Sequence, residues 1–332
     1  MSADVVVTTL QLADGTTGSG FNATIGGDDD RALTAALYIL DRFVAGKPMQ
    51  HPLALWRAVD AELGRNGDDA YRAALASIDV ALWDMYAVTL GVPIGIAMGG
   101  APRRIPVYGS GGFKRGGDPD EAVARARDYQ ARGARGVKVR AGGTTADAPL
   151  LEAVARSLTG IELMIDANGH CTPASAAQLL RDAAGVNARF VEEPLPPSET
   201  AAYAALARSA PVPIATGENL RGIAETAPYL FGHWCSVIQP DLTVMGGLSE
   251  CLRTAQLAEH LGIETAPHFL PGLFIQLAAA VPNLTWLEDF PTIEPLFSRM
   301  PAMDADGYMT LPELPGHGLV FADGARAAFR IA

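Results

Sequence analysis

The feature that most constrains this 332-residue chain is a repeated unit that begins after Pro102. Each unit is a short β-branched run ending in polar residues, then an Ala- and Leu-rich amphipathic segment, then Gly or Pro. Strand–helix alternation predicts a parallel sheet, and eight units predict closure into a (β/α)8-type barrel, a modified TIM barrel. The eight predicted strands are Ile105–Ser110, Gly136–Ala141, Leu163–Asn168, Phe190–Pro194, Ile214–Asn219, Val237–Thr243, Thr265–Leu270 and Thr285–Phe290.

The segments on either side of the repeats have a different sequence pattern. Residues 1–103 combine a β-like run, glycine breaks and two helical stretches, which indicates a small α+β domain. Residues 104–299 form the predicted barrel. Residues 300–332 contain no barrel unit, and we expect this C-terminal segment to pack back on the front domain.

Composition and charge narrow the possible partners. Apolar residues make up 49% of the chain, but no run of eighteen apolar residues occurs and no secretion signal is recognisable, which predicts a cytoplasmic protein. A net charge of −12 without a Lys/Arg run disfavours nucleic acid and membrane surfaces as partners. The three cysteines lack paired spacing, which argues against disulfides or structural zinc. The expected partner is instead a small-molecule carboxylate substrate, which cationic residues at the predicted strand ends favour.

Three carboxylates stand at the ends of consecutive predicted strands. Asp166, Glu192 and Glu218 are separated by 26 residues each time. Because side chains at the C-terminal ends of barrel strands converge on one mouth, these acids should reach a common point. Oxygen ligands favour a hard divalent ion, so the sequence predicts a Mg²⁺ site, with Mn²⁺ as a possible substitute.

Other strand-end residues suit acid–base chemistry on a carboxylate substrate. Lys138 and Arg140 alternate on one strand, so both should face the mouth and attract a carboxylate. Asp241 is positioned to accept a hydrogen bond from His268 on the next strand, which would make the histidine a general base. Glu288 could donate a proton or a hydrogen bond to the substrate if its pKa is raised.

Three further residues are candidates for substrate binding. Asn168 and Asn219 follow two of the predicted metal ligands closely in sequence, and His170 comes directly after the turn that Asn168 begins. Their side chains could contact substrate hydroxyls. For His170, an incidental position on the rim is an equally good interpretation.

The residues together resemble the mandelate racemase subgroup of the enolase superfamily, from about Asp4 to the C-terminus. The matching motifs are Ala81-Leu82-Trp83-Asp84, Val137-Lys138-Val139-Arg140, Asp166-Ala167-Asn168-Gly169, Val191-Glu192-Glu193-Pro194, Gly217-Glu218-Asn219, Asp241 with Gly246-Gly247, Pro267-His268 and Trp286-Leu287-Glu288. The resemblance implies a capped barrel, Mg²⁺ held by Asp166, Glu192 and Glu218, an Asp241–His268 dyad and a homo-oligomer. Sites of this superfamily combine a lysine or histidine base with Mg²⁺.

One departure from the subgroup bears on the reaction. The second cation of the strand-two motif is commonly a lysine that acts as a second base, and here it is Arg140, a poor base near neutrality. This favours a one-base dehydration of an acid sugar, with His268 as the base. A racemase, epimerase or cycloisomerase of a hydroxy acid is the alternative, and a non-catalytic ligand-binding barrel is a third possibility.

A second departure concerns the front of the chain. Family members usually have an additional strand and a substrate-covering loop before the segment that corresponds to Asp4–Phe21, and neither is recognisable in this sequence. We therefore expect another segment, such as Gly18–Asp30, or a neighbouring chain to cover the site.

Overall fold

The computed structural model describes residues 3–25, 29–63 and 68–325. Val7–Gln11 (β2) pairs antiparallel with Thr17–Phe21 (β3), and Ala3–Asp4 (β1) pairs antiparallel with Thr24–Ile25 (β4). We call these strands and the helices that follow them the N-terminal region. Its elements are β1 (Ala3–Asp4), β2 (Val7–Gln11), β3 (Thr17–Phe21), β4 (Thr24–Ile25), α1 (Asp29–Ile39), a π-helical turn (Leu40–Val44), α2 (Pro52–Leu63), α3 (Asp69–Leu90) and α4 (Ile94–Ala97).

Helix α3 is the central element of the N-terminal region. The Asp68 side chain caps its first turn, and Gly91 ends it with a left-handed φ of 70°. Strand β3 lies so close to it that a Cβ on Gly20 would be 2.2 Å from the Ala81 nitrogen. The helix is long and apolar enough to cross a membrane, but 78% of its most apolar window is buried in the protein. Such burial is that of a core helix.

The barrel strands run parallel, each beside the next in chain order. Leu287–Asp289 (β12) pairs with Arg104–Gly109 (β5). A bridge joins Thr265, at the end of Glu264–Thr265 (β11), to Leu284, three residues before β12, so the ring of eight strands is closed. The predicted barrel is therefore confirmed. Its strands are β5 (Arg104–Gly109), β6 (Gly136–Arg140), β7 (Glu162–Asp166), β8 (Val191–Glu192), β9 (Ile214–Thr216), β10 (Val237–Ile238), β11 (Glu264–Thr265) and β12 (Leu287–Asp289).

The helices show one difference from an eightfold repeat. Among the described residues, a 3-10 turn at Glu294–Leu296 follows β12 in place of an α-helix, so the unit repeats as (β/α)7β. Strand β10 is followed by two helices, one of four residues and one of 13 residues. The barrel helices are α5 (Pro119–Ala131), α6 (Asp147–Ser157), α7 (Pro173–Gly185), α8 (Thr200–Ala207), α9 (Gly222–Phe231), α10 (Leu242–Met245), α11 (Leu248–His260) and α12 (Pro271–Ala280).

Several strands end earlier than the sequence predicts. The sixth strand was expected to reach Thr243 but ends at Ile238, because Asp241 caps the short helix α10 and pulls the chain into a turn. The seventh ends at Thr265, and Phe269 and Leu270 have left-handed φ values of 59° and 45°. The two segments still lie side by side beyond the ends of their strands, since Asp241 and His268 form a parallel bridge.

Large side chains fill the barrel interior beneath the mouth. The Tyr108 ring lies 5.4 Å from the ammonium of Lys138, which is 1% exposed and forms the upper boundary of this layer. The layer therefore separates the polar mouth from the opposite end of the barrel. Its members are Tyr108, Met164, Phe190, Ala215, Val237, Ala266 and Trp286.

The C-terminal segment contacts both the barrel and the N-terminal region. It contains β13 (Phe297–Arg299), β14 (Tyr308–Thr310) and β15 (Val320–Phe321). Strand β14 pairs antiparallel with β5, and β13 pairs with β15. Buried His317 then contacts the N-terminal region, where its backbone N–H donates to Asp84 Oδ1 at 2.8 Å.

Candidate active site

Three carboxylates meet at the mouth of the barrel. Asp166 and Glu192 are the last residues of β7 and β8 and stand opposite each other in the parallel ladder. Glu218 lies two residues beyond β9. One oxygen from each of the three lies within 4.8 Å of the others. The structure thus brings together the three acids that the sequence predicts as metal ligands.

The environment of Glu192 indicates that this cluster fits a cation. Its Oε2 accepts hydrogen bonds from Lys138 Nζ at 2.6 Å and from Gln239 Nε2 at 2.7 Å. Its Oε1 is buried and has no hydrogen-bond partner in the described part of the chain. A buried oxygen without a donor is costly, and a divalent ion between the three acids would supply the missing partner. An all-oxygen donor set suits Mg²⁺ or Mn²⁺.

Two cations from β6 border the cluster. Lys138 Nζ lies 2.9 Å from Glu288 and 3.9 Å from Asp166, in addition to its contact with Glu192. Arg140 contacts Asp166. Burial and mutual repulsion nevertheless dominate, and they raise the pKa of Asp166 to about 6. Burial likewise raises the pKa of Glu192 to about 7, although Lys138 opposes the rise.

His268 and Asp241 form a hydrogen-bonded dyad beside the cluster. His268 Nδ1 lies 2.8 Å from Asp241 Oδ2, so Nδ1 carries the proton and Nε2 is directed away from Asp241. Nε2 lies 3.3 Å from Glu218 Oε2. Burial disfavours the charged ring, but the attraction of Glu218 and Asp241 raises the pKa of His268 to about 10. A cation bound by Glu218 would offset part of this attraction.

Glu288 differs from its expected state. It is buried, and its Oε2 accepts a hydrogen bond from the Phe269 N–H at 2.9 Å, while Oε1 accepts from Ser110 and Lys138. Burial favours the protonated form, but the charges of Lys138 and His268 outweigh it and lower the pKa of Glu288 to about 2. The condition for proton donation by Glu288, a raised pKa, is therefore not met in this structure, and Glu288 is an anionic acceptor for Lys138.

The two asparagines bind carboxylates of the site. Asn168 Nδ2 donates to Asp166 Oδ2 at 3.2 Å, and its backbone N–H donates to Asp166 Oδ1 at 2.8 Å. Asn219 Nδ2 donates to Glu193 Oε2 at 2.8 Å and to Glu218 Oε1 at 3.3 Å. Both residues therefore orient predicted metal ligands, and a direct contact with substrate stays a prediction.

Arg140 and His170 occupy different positions relative to this network. Arg140 Nη1 donates to Asn168 Oδ1 at 2.6 Å, so it belongs to the hydrogen-bonded group around Asp166. His170 is exposed in the turn after β7, outside the group of hydrogen-bonded side chains described above. The segment expected to cover the mouth, Gly18–Asp30, includes residues 26–28, which lie outside the described residues.

Family models cover both parts of the chain. One, described as the mandelate racemase / muconate lactonizing enzyme N-terminal domain, matches residues 1–99. The other, described as enolase C-terminal domain-like, matches residues 121–325. The chain belongs to the mandelate racemase / muconate lactonizing enzyme family. The resemblance drawn from the motifs is confirmed.

Similar proteins within this family carry names from acid-sugar chemistry. An L-talarate/galactarate dehydratase of Salmonella typhimurium is 30% identical over 97% of this chain and 81% of that protein. A D-galactarolactone cycloisomerase of Agrobacterium fabrum is 29% identical over 98% and 91%. The crystal structure of L-talarate dehydratase from Polaromonas sp. JS666, complexed with Mg and L-glucarate, superposes with a TM-score of 0.92 at 29% identity, over 99% of this chain and 93% of that one.

Two residues of this mandelate racemase-like site, Gln239 and Ser110, are not among the sequence-based candidates. Gln239, which binds Glu192, stands two residues before Asp241, so the two-residue period of a strand could have found it. Ser110 is a polar residue at a predicted strand end, and its position there could have identified it. Glu193 also stands at a predicted strand end, but the sequence assigns it no role, because only its left-handed φ of 36° lets it point into the site beside Glu192. Burial and the charge of Glu218 raise its pKa to about 9.

Proposed function

We propose that this chain is a Mg²⁺-dependent acid-sugar dehydratase that uses His268 as its single acid–base residue. The observation that carries the proposal is the placement of His268 Nε2 toward the carboxylate cluster, with Nδ1 held by Asp241. The predicted roles of Asp166, Glu192 and Glu218 as ligands rest on their common geometry. The relatives named as dehydratases support the choice of substrate class.

The chemistry to be solved is the removal of a weakly acidic proton. A hydrogen next to a carboxylate is released only if the charge that develops on the carboxylate oxygens is stabilised. A divalent cation, when bound by the three acids, supplies positive charge at those oxygens. Lys138 lies within 4 Å of two of these acids and adds a fixed positive charge on the same side, in surroundings where water is excluded.

His268 performs both proton transfers in the proposed reaction. Nε2 takes the proton from the carbon next to the carboxylate, and the C–H electron pair moves into the carboxylate to form an enediolate. The C–O bond of the β-hydroxyl then breaks, and His268 returns its proton to the departing oxygen, which leaves as water. The resulting enol rearranges to a 2-keto-3-deoxy acid. Asp241 keeps the ring in the required tautomer and orientation throughout.

Arg140 favours this one-base route over racemisation. A two-base enzyme needs a second group that can accept a proton on the other face of the substrate. The Asp166 carboxylate raises the pKa of Arg140 further, against the effect of its burial. An arginine in this setting remains a cation and binds anions.

Cycloisomerisation is the second candidate, because it can also proceed with one base and a similar protein is named for it. The two reactions differ in mass balance. Dehydration removes one water from an open-chain acid, whereas an isomerisation conserves the mass of its substrate. Epimerisation conserves the mass and also creates no carbonyl group.

The decisive experiment is a screen of mono- and diacid sugars and their lactones with Mg²⁺. Products are detected with semicarbazide, which reports a new carbonyl, and by mass spectrometry. We expect a keto product that has lost the mass of one water, and we expect that Mg²⁺ removal or the His268→Asn variant abolishes it. A general base accelerates proton transfer roughly 10²- to 10⁴-fold, so His268→Asn should lose at least about a hundredfold in kcat.

The other outcomes separate the alternatives. A product of unchanged mass that still requires His268 would assign isomerisation. Turnover that persists in His268→Asn would contradict the role proposed for the dyad. Folded protein that binds Mg²⁺ but converts no acid sugar or lactone would favour a ligand-binding barrel.

A further inference from the structure

We infer that Thr243 is a positioning residue that connects the N-terminal region to the Asp241–His268 dyad through helix α10. This inference rests on the proposed function, because it assigns Thr243 to the orientation of the proposed base. Thr243 does not touch the cluster of acids. It acts through Asp241, whose carboxylate it helps to fix.

The two carboxylate oxygens of Asp241 accept hydrogen bonds from different groups. Oδ2 accepts the hydrogen bond from His268 Nδ1 at 2.8 Å. Oδ1 accepts from the backbone N–H groups of Thr243 at 2.7 Å and Val244 at 3.0 Å, which are in the first turn of α10. The plane of the carboxylate, and with it the direction of the imidazole, therefore follows the position of α10.

Helix α10 has only four residues and is held at both ends by the N-terminal region. The Thr243 hydroxyl donates to the Ala23 carbonyl at 3.0 Å, and the Ala23 N–H approaches the same hydroxyl at 3.4 Å. At the other end, Trp56 Nε1 donates to the Gly246 carbonyl at 2.8 Å. A single isolated turn is unstable by itself, so these external bonds determine where it lies.

The partner of Thr243 is itself firmly anchored. Asn22, the residue before Ala23, is fully buried and donates from Nδ2 to the Ala73 carbonyl at 2.8 Å. Its Oδ1 accepts from the Val6 N–H at 2.9 Å. Ala23 is thus tied to α3 and to the segment between β1 and β2. The buried Thr243 hydroxyl therefore joins helix α10 to an anchored segment of the N-terminal region.

A small displacement of α10 would therefore move the proposed base. Proton transfer requires the nitrogen at hydrogen-bond distance from the proton, and displacements below about 1 Å already reduce rates strongly. Loss of the Thr243 hydroxyl should reduce kcat while leaving the metal ligands unaffected. A merely structural threonine would lower stability without this selective effect.

The test compares three variants of the full-length protein. Thr243→Val keeps the side-chain shape and removes the hydroxyl, whereas Thr243→Ser keeps the hydroxyl. Thr226→Val is the matched control, because the buried Thr226 hydroxyl also donates to a backbone carbonyl, that of Gly222 at 2.8 Å, and this bond lies within helix α9. Thermal unfolding and Mg²⁺ titration accompany the kinetic measurements.

We expect Thr243→Val to lose about tenfold or more in kcat, with KM and Mg²⁺ affinity within about twofold of wild type. Thr243→Ser should recover most of the loss. Thr226→Val should lose similar thermal stability and retain its kcat. Equal kcat in Thr243→Val and Thr226→Val would overturn the inference.

A spectroscopic measurement keeps this test independent of the substrate. The proton shared by His268 Nδ1 and Asp241 should give a downfield ¹H resonance in protein labelled with ¹⁵N-histidine, assigned by its absence in His268→Asn. We expect this resonance to shift or broaden in Thr243→Val, and to persist in Thr243→Ser and Thr226→Val. If wild type converts no acid sugar, the proposed function fails but this resonance still decides the role of Thr243. An unchanged resonance in Thr243→Val would refute it.

Discussion

Lys138 illustrates how one buried charge stabilises several others. Its ammonium is 1% exposed and lies within 3 Å of both Glu192 and Glu288. Burial alone would lower the pKa of Lys138, but these carboxylates and Tyr108 outweigh it and raise the pKa well above its ordinary value. The lysine is therefore a permanent cation in the centre of the site.

The variant Lys138→Met should destabilise the protein strongly. It leaves two buried carboxylates without their shared counter-ion, and removal of one partner from a buried pair costs about 3–5 kcal/mol. Urea unfolding in the presence of a chelator measures the change. The control is Lys114→Met, which removes an exposed ion pair with Glu121 and should cost less than about 1 kcal/mol. Similar losses for the two variants would contradict the counter-ion role.

At the scale of residues, the sequence predicted positions better than protonation states. Strand-end location identified Asp166, Glu192 and Glu218, because a parallel barrel gathers such residues at one mouth. The pKa of Glu288 could not be predicted, since it depends on the ammonium of a residue on another strand. The protonation state of a side chain depends on distances of a few ångströms to other charged groups, and these distances cannot be read from the spacing of residues in the sequence.

At the scale of elements, the connection between α10 and α11 is constrained by a buried aspartate. Asp79 of α3 accepts hydrogen bonds from Ser249 N at 2.9 Å and Ser249 Oγ at 2.6 Å, in the first turn of α11. Gly247, just before this helix, has a φ of 124°, and a Cβ there would lie 2.4 Å from Asp79 Oδ2. The glycine allows α3 to approach the barrel closely.

The variant Gly247→Ala should therefore lower the free energy of unfolding by more than a Gly→Ala substitution at an uncrowded position with positive φ. Gly262→Ala is the reference, because Gly262 has a φ of 69° and open space around its Cβ position. We expect about 1 kcal/mol for Gly262→Ala, and about 1–3 kcal/mol more for Gly247→Ala because the contact with Asp79 must be broken or displaced. Urea midpoints measure both, and equal losses would show that the approach of α3 is not limiting.

The bounds of short elements were harder to predict than their existence. The apolar run around Leu242–Met245 continues the sixth strand in sequence, but the structure makes it a helix capped by Asp241. Short apolar runs suit either structure, and the choice depends on tertiary contacts such as those from Thr243 to Ala23. The same ambiguity explains why the seventh predicted strand was too long.

At the scale of the whole molecule, His317 fastens the C-terminal segment to the N-terminal region. Its Nδ1 accepts from the Leu319 N–H at 3.0 Å, so the buried ring is neutral and Nε2–H donates to the Ser19 carbonyl at 3.1 Å. Nε2 lies 3.7 Å from Asp84 Oδ2, the only charged group within ion-pair distance of it among the described residues. Burial nevertheless lowers the pKa of His317.

Stability should therefore decrease as the solution becomes acidic. Below the ordinary histidine pKa of 6.5, the unfolded chain binds a proton that the folded protein excludes, so the folded state loses stability as the pH falls. We expect the urea midpoint of wild type to drop more between about pH 7.5 and about pH 5.5 than that of His317→Leu. His260→Gln, at an exposed position, should behave as wild type. An identical pH dependence in His317→Leu would exclude His317 as the source.

The global architecture was the most predictable property. Eight strands in alternation with helices predicted a closed parallel ring, and that ring is present. The antiparallel pairing of β14 with β5 was not foreseen, because it joins residues about two hundred positions apart and has no local signal. Long-range pairings of this kind depend on the assembled barrel.

The contact between Ser19 and His317 also has a consequence for the order of events on the ribosome. These residues are separated by 298 positions, so the surface around Ser19 emerges long before its partner is synthesised. During that interval the apolar faces of α3 have neither the barrel nor the C-terminal segment to cover them, and exposed apolar surface in a nascent chain promotes aggregation. The nascent N-terminal region therefore keeps this apolar surface exposed until the barrel and the C-terminal segment have been synthesised.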